Sequence, residues 1–155
     1  MNKNKVIALS KKSFNESKKA INKKLGGALI TSAVTYITNG YWVFALKGDY
    51  REISEIVRVP CPEEYPYEAL RKVFAEFGIT GVKNLNVKNL DLTKSTVQVG
   101  NFWFNTKYIK LGIEALGKTA KVLVEEKEYA SYIRFSDSKE NQMVILSLKK
   151  GCKEL

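Results

Sequence analysis

The sequence contains no histidine, which removes the commonest general base, every histidine-containing triad and most zinc sites. Its two cysteines, Cys61 and Cys152, lie far apart without metal-ligand spacing. No secretion signal directs them to an oxidising compartment, so they read as free thiols of a cytoplasmic protein. No stretch approaches the roughly 18 apolar residues of a membrane span. The run Val6–Leu9 behind the basic start is too short for a signal-peptide core. The only tight acidic groups, Glu63-Glu64 and Glu125-Glu126 with Glu128, read as solvated faces or strand edges. These absences predict no catalytic residue, cofactor or metal site, and no membrane partner.

What the chain does have is bulk and positive charge. At 155 residues, 45% of them hydrophobic and with seven Phe, eight Tyr and two Trp, it has enough apolar material for one packed domain spanning 1–155. Lys and Arg number 26 against 16 Asp and Glu, a net charge of +10. Such a charge favours polyanions, nucleic acid before anionic membranes. Eight lysines against the single acid Glu16 fall between Met1 and Leu25, so the charge forms a patch. The aromatics Tyr36, Tyr41, Trp42, Trp103 and Tyr108 can either fill a core or stack on single-stranded bases.

Local signals predict an α+β fold. Val6–Leu9 reads as a short strand, and Ser13-Phe-Asn-Glu16 has the form of a capping box opening a basic amphipathic helix that Gly26-Gly27 stops. Two or three antiparallel strands follow over Ala28–Lys47, turned by Thr38-Asn39-Gly40, with a further strand at Glu52–Val59. Pro66 opens an extra helix near 66–78, in which Leu70, Val73, Phe74 and Phe77 keep helical spacing. Ile79–Lys94 alternates weakly, as an irregular strand region or an ordered connector. Thr96–Phe104 reads as one strand, Asn105 as the cap of a helix to Leu116 and Gly117 as its stop. Strands are expected at Thr119–Glu125, Ser131–Ser136 and Met143–Lys149. The order strand, helix, strands thus occurs twice, in half-repeats of about 5–59 and 95–150 around a connector at 60–94, and Phe14-Asn15 matches Phe104-Asn105.

Gly112-Ile-Glu-Ala-Leu-Gly117-Lys118-Thr119 satisfies the phosphate-loop pattern. That motif needs a strand before it and a helix after it, because loop amides and a helix N-terminus hold the phosphates together. Here Ile113, Ala115 and Leu116 extend a helix and Lys121–Val124 reads as a strand, so the match is a C-capping glycine followed by a lysine.

With Phe104-Asn105-Thr-Lys-Tyr108-Ile109 at the second helix and Thr38-Asn39-Gly40-Tyr41 at the first turn, the two basic helix-then-sheet halves resemble one domain of the bacterial DNA sliding clamp, the beta subunit of DNA polymerase III. Phe104-Asn105-Thr-Lys-Tyr108-Ile109 through Glu114-Ala115-Leu116 looks like that family's helix, and Ala130–Ile133 with Gln142–Lys149 resembles its closing strands. Thr38-Asn39-Gly40-Tyr41 is similar to its Thr-Asp-Gly-His turn, and Tyr65-Pro66 with Arg71-Lys72-Val73 to its Phe-Pro-Asp-Tyr segment. The resemblance spreads over about 110 residues, in packing and turn signatures. It implies helices lining a channel around duplex DNA, touching phosphates without reading bases, with sheets as outer wall and subunit contacts. The DNA-facing residues would be Lys11, Lys12, Lys18, Lys19, Lys23 and Lys24 in the first half, and Lys107, Lys110 and Lys118 in the second. A clamp subunit carries three such domains, so a ring of six would take six copies of this chain, a homo-oligomer. A reduced version of this kind points to a phage or mobile element and to a processivity or tethering role in replication or repair, beside other replication proteins. The alternative is a protein-interaction module on a degenerate clamp fold, without DNA binding, that takes its partner at a strand edge or an aromatic groove.

Overall fold

The computed structural model describes residues 3–17, 27–31, 33–51, 72–74 and 81–154. Among these residues the chain is mixed α+β, with a main sheet of seven strands in the order β1-β2-β3-β9-β8-β7-β4. Every neighbouring pair in it is antiparallel. The strands are β1 (Gly27–Ile30), β2 (Val34–Thr38), β3 (Trp42–Lys47), β4 (Val82–Asn84), β7 (Lys121–Glu126), β8 (Ser131–Ser136) and β9 (Gln142–Leu146). A second sheet is the hairpin β5 (Thr96–Val99) and β6 (Phe102–Asn105). Helix α1 (Lys3–Ser17) precedes the meander β1-β2-β3, and α2 (Thr106–Leu116) precedes the meander β7-β8-β9. The two meanders join where β3 pairs with β9, Trp42 opposite Ile145 and Phe44 opposite Met143.

The start of the chain corrects the sequence reading. Val6–Leu9 is helical, and Ser13 lies inside α1 instead of capping it. A short apolar run does not by itself distinguish strand from helix. Here Val6, Leu9 and Ser10 are buried at i, i+3 and i+4, and the flanking lysines and alanine are good helix formers. The Ser10 hydroxyl donates to the Val6 carbonyl one turn back at 2.8 Å, so it does not compete with the helix. Thr96–Phe104 is likewise two strands. Gly100, at φ +60°, and Asn101 make a two-residue turn with glycine first, a conformation that fits the twist of antiparallel strands. Glu126 holds the tip, accepting from the Asn101 side chain at 2.6 Å.

The second half follows its signals closely. Asn105 caps α2, its side chain accepting from the Lys107 amide at 3.0 Å, and Gly117, at φ +92°, ends it. Ser131–Ser136 is a strand over its whole length. β9 stops at Leu146, short of Lys149, because the chain leaves the sheet after one more contact with β8. The Ser147 amide bonds the Ser131 carbonyl and the Leu148 amide reaches Trp103 on β6. Between β4 and β5, the asparagines that interrupt the alternation shape a connector. Asn86 caps a short 3-10 turn at Val87–Asn89 while Leu85, Val87, Leu90 and Leu92 rest on the core. The strand expected at Glu52–Val59, residues 18–26 of the first basic segment and most of the 66–78 helix lie outside the described residues. Within that last segment, residues 72–74 are helical and the Phe74 ring lies 6.0 Å from Tyr36.

One core lies between the sheet and both helices. Ile37, Trp42, Phe44, Leu46, Ile133, Phe135, Met143 and Ile145 meet Val6 and Leu9 of α1, Ile109, Leu111 and Leu116 of α2, and the β5–β6 hairpin. α1 rests on β1 and β2, and α2 on β6, β8 and β9. Among the described residues no helix is long and apolar enough to cross a membrane. The closest approach of helix to sheet is at Gly112, where an added Cβ would stand 2.7 Å from Cε2 of the fully buried Phe135. Alanine there would raise helix propensity by about 1 kcal/mol but overpack the contact by about 1–3 kcal/mol. Because the neighbour is a ring fixed in the core, overpacking should win and Gly112→Ala should lower the urea unfolding midpoint. An unchanged or higher midpoint would show that α2 does not pack this closely.

Candidate nucleic-acid interface

The two helices lie side by side and antiparallel on one face of the sheet. Glu16, in the last turn of α1, is 3.7 Å from Lys107 in the first turn of α2. Further along, a crevice of about 180 Å³ runs between Lys5, Ala8, Leu9 and Lys12 on one side and Leu111, Glu114 and Ala115 on the other. With Val6, Leu9 and Ser10 turned inward, α1 exposes Asn4, Lys5, Ala8, Lys11 and Asn15. With Ile109, Leu111, Gly112 and Leu116 inward, α2 exposes Lys107, Lys110 and Glu114. The outward surface of the helix pair therefore carries Lys5, Lys11, Lys107 and Lys110, with Lys118 just beyond the end of α2.

Of the lysines named from the sequence, the structure brings Lys11, Lys107, Lys110 and Lys118 to exposed positions on this helical layer. Lys12 is half-buried and turned into the inter-helix crevice. Lys18, Lys19, Lys23 and Lys24 lie outside the described residues. Lys5 joins the set, hidden in the sequence because its segment reads as the approach to a strand. Lys118 follows the C-terminus of α2, where the carbonyl ends of the helix favour a cation and disfavour a phosphate loop. Strand β7 comes next, the reverse of the order that motif requires. Among the described residues, no group of three His, Cys, Asp or Glu is placed to hold a metal ion.

A buried polar node fixes the helix pair to the sheet. Asn39, 2% exposed at the β2–β3 turn, accepts from the Tyr41 and Trp42 amides at 2.8 and 3.0 Å. These donors orient the amide, so its Nδ2 donates outward to Glu16 at 2.6 Å and makes a longer contact of 3.4 Å with the Tyr108 hydroxyl. Burial raises the Tyr108 phenol above its ordinary value. The Asn39 hydrogen bond opposes that rise, while the charges of Glu16 and Tyr41 add to it. Tyr108 is therefore neutral at physiological pH. Glu16, which the sequence casts as half of a capping box, instead ties α1 to the turn and to α2.

A groove of about 670 Å³ opens at the end of the sheet, where Tyr41, Tyr108 and Tyr129 face the segment Leu146–Lys149. Of the aromatics considered for base stacking, Tyr41 is 47% exposed and Tyr108 half-buried, whereas Trp42 is a core residue, 1% exposed. Tyr36 and Trp103 are half-buried away from this groove. Tyr129 is the ring sequence reasoning missed. Its signal was position: a tyrosine in a turn between two strands has no core to enter.

No family model, curated protein or solved structure matches the chain.

The node yields a pH-dependent prediction. Asn39→Asp would set a carboxylate where Nδ2 now donates to Glu16, and two carboxylates at that separation raise the pKa of one of them. A raised folded-state carboxyl pKa weakens the fold above it and releases the penalty as pH falls through it. Asn39→Asp should therefore unfold at lower temperature at pH 7 and recover much of the loss near pH 4.5. Equal losses at both pH values would contradict the Asn39–Glu16 contact.

Proposed function

We propose that the chain is a non-catalytic, DNA-associated domain of clamp-like build that tethers a replication or repair activity to duplex DNA by sequence-independent phosphate contacts. One observation carries the reading: the exposed lysines of two antiparallel helices, on one face of a continuous antiparallel sheet, form a single outward surface. Such a surface suits a duplex, since lysine is a compact cation on a flexible stem and phosphate contact needs no base-specific geometry. The occurrence of a helix followed by a three-strand meander in both halves supports a clamp-type duplication. In that arrangement the helices would line the channel and the end strands β1 and β4 would meet neighbouring copies.

Binding should be electrostatic and easily diagnosed. Affinity for duplex DNA should fall linearly on a log–log plot against salt, with a slope near −0.9 for each phosphate neutralised. Replacing Lys11, Lys110 and Lys118 together by Glu should weaken binding similarly for all sequences and flatten the slope by about one for each lysine. These side chains are exposed, so the fold should survive the change. Salt-independent binding, or an unchanged slope in the variant, would sink the DNA reading. The mass of the saturated complex decides ring closure: one copy per duplex would exclude a homomeric ring.

A further inference from the structure

The tyrosine groove is separate from the lysine surface but adjoins it. Tyr41 and Tyr129 are the exposed large hydrophobic residues among those described, at 47% and 74%, and both line this groove. Water covers a phenol ring poorly, and two such rings converging on one cavity form a surface that a planar partner would complete. The walls are held firmly. Tyr41 sits on the turn that Asn39 fixes and accepts from the Leu146 amide at 3.0 Å, Tyr108 belongs to the first turns of α2, and Tyr129 lies between β7 and β8. Tyr108 lines the cavity, and its hydroxyl, which takes only a long 3.4 Å contact from Asn39, keeps a proton to donate.

Charge selects the occupant. The tail along one side, Lys149–Glu154, puts Lys149 and the acid Glu154 into the lining and carries Lys150 and Lys153 close behind it, and Thr96 anchors it by donating to the Lys153 carbonyl at 2.7 Å. Lys107, of the proposed phosphate surface, directly precedes the lining residue Tyr108 and lies 3.7 Å from Glu16. A proline-rich peptide would use the rings but gain nothing from the cations around them. A nucleic-acid strand uses both, since any base offers a face for stacking and its phosphates need the lysines.

We infer that the groove takes an unpaired nucleobase, stacked on Tyr41 or Tyr129 with a polar edge at the Tyr108 hydroxyl, from a strand whose phosphates pass between Lys107 and Lys149. The inference rests on the DNA reading and sharpens it: the preferred substrate is a duplex that continues into a single strand.

The test compares a blunt duplex with the same duplex carrying a short oligo(dT) overhang, by fluorescence anisotropy. The overhang should tighten binding about tenfold, and Tyr129→Ala should abolish that gain while leaving blunt-duplex affinity unchanged. Tyr129 is too exposed for its truncation to threaten the fold. Equal affinity for both DNAs, with the lysine dependence intact, overturns the groove inference and leaves the DNA reading standing. If the duplex fails to bind, free oligo(dT) binding that Tyr129→Ala weakens still upholds the groove, and its absence overturns it. Quenching of tyrosine emission by a proline-rich peptide but not by oligo(dT) also overturns it, in favour of a protein partner.

Discussion

The pairing of β3 with β9 is the contact on which the rest of the molecule depends. Trp42, Val43, Phe44 and Ala45 stand opposite Ile145, Val144, Met143 and Gln142, residues about a hundred positions away in the chain. Each meander alone is a three-stranded sheet with a helix on one face, a small unit with one side of its apolar surface uncovered. Joined at this seam the two become a continuous sheet, and Trp42, Phe44, Met143 and Ile145 bury together beneath both helices. The helix pair exists as a surface only because the seam sets α1 and α2 on the same face.

Polar contacts then refine what the seam positions. The Asn39 amide satisfies its own turn and reaches Glu16, and Glu16 faces Lys107. This chain of contacts connects a strand turn, the end of α1 and the start of α2, so the lysine surface and the wall of the tyrosine groove share one support. Asn39 and Tyr108 are buried or half-buried, and a polar group lost there would leave its partners without water, typically a cost of about 1–3 kcal/mol. A substitution at Asn39 would therefore disturb two surfaces that it does not itself form.

Much of this was legible in the sequence where local chemistry agreed with tertiary placement. Asn105 and Gly117 bracket a helix by ordinary capping rules, and the alternation from Ser131 to Ser136 marks a half-buried strand along its length. The failures have physical causes. Val6–Leu9 is a run too short to reveal its period, and only burial against the sheet shows it to be helical. Gly100-Asn101 is a hairpin signal between two short runs, Thr96–Val99 and Phe102–Phe104, that read together as one strand. Glu16 lies at the right distance from Ser13 for a capping box, but its partner is 23 positions away at Asn39, where local spacing says nothing. The lysine patch was visible as composition. Which lysines face outward, and that Tyr129 joins Tyr41 and Tyr108, depended on how the two halves meet.

On the proposed reading the outward face of the helix pair, and not the protein's general positive charge, holds a polyanion. Lysine acetylation footprinting with and without duplex DNA, read by mass spectrometry, tests it most directly, because exposed lysines on other surfaces serve as internal controls. Protection is expected at Lys5, Lys11, Lys107, Lys110 and Lys118, while Lys121 on the first strand after α2 and Lys139 in the β8–β9 turn should keep their reactivity. Uniform protection of all lysines, or protection centred on Lys121 and Lys139, would contradict it.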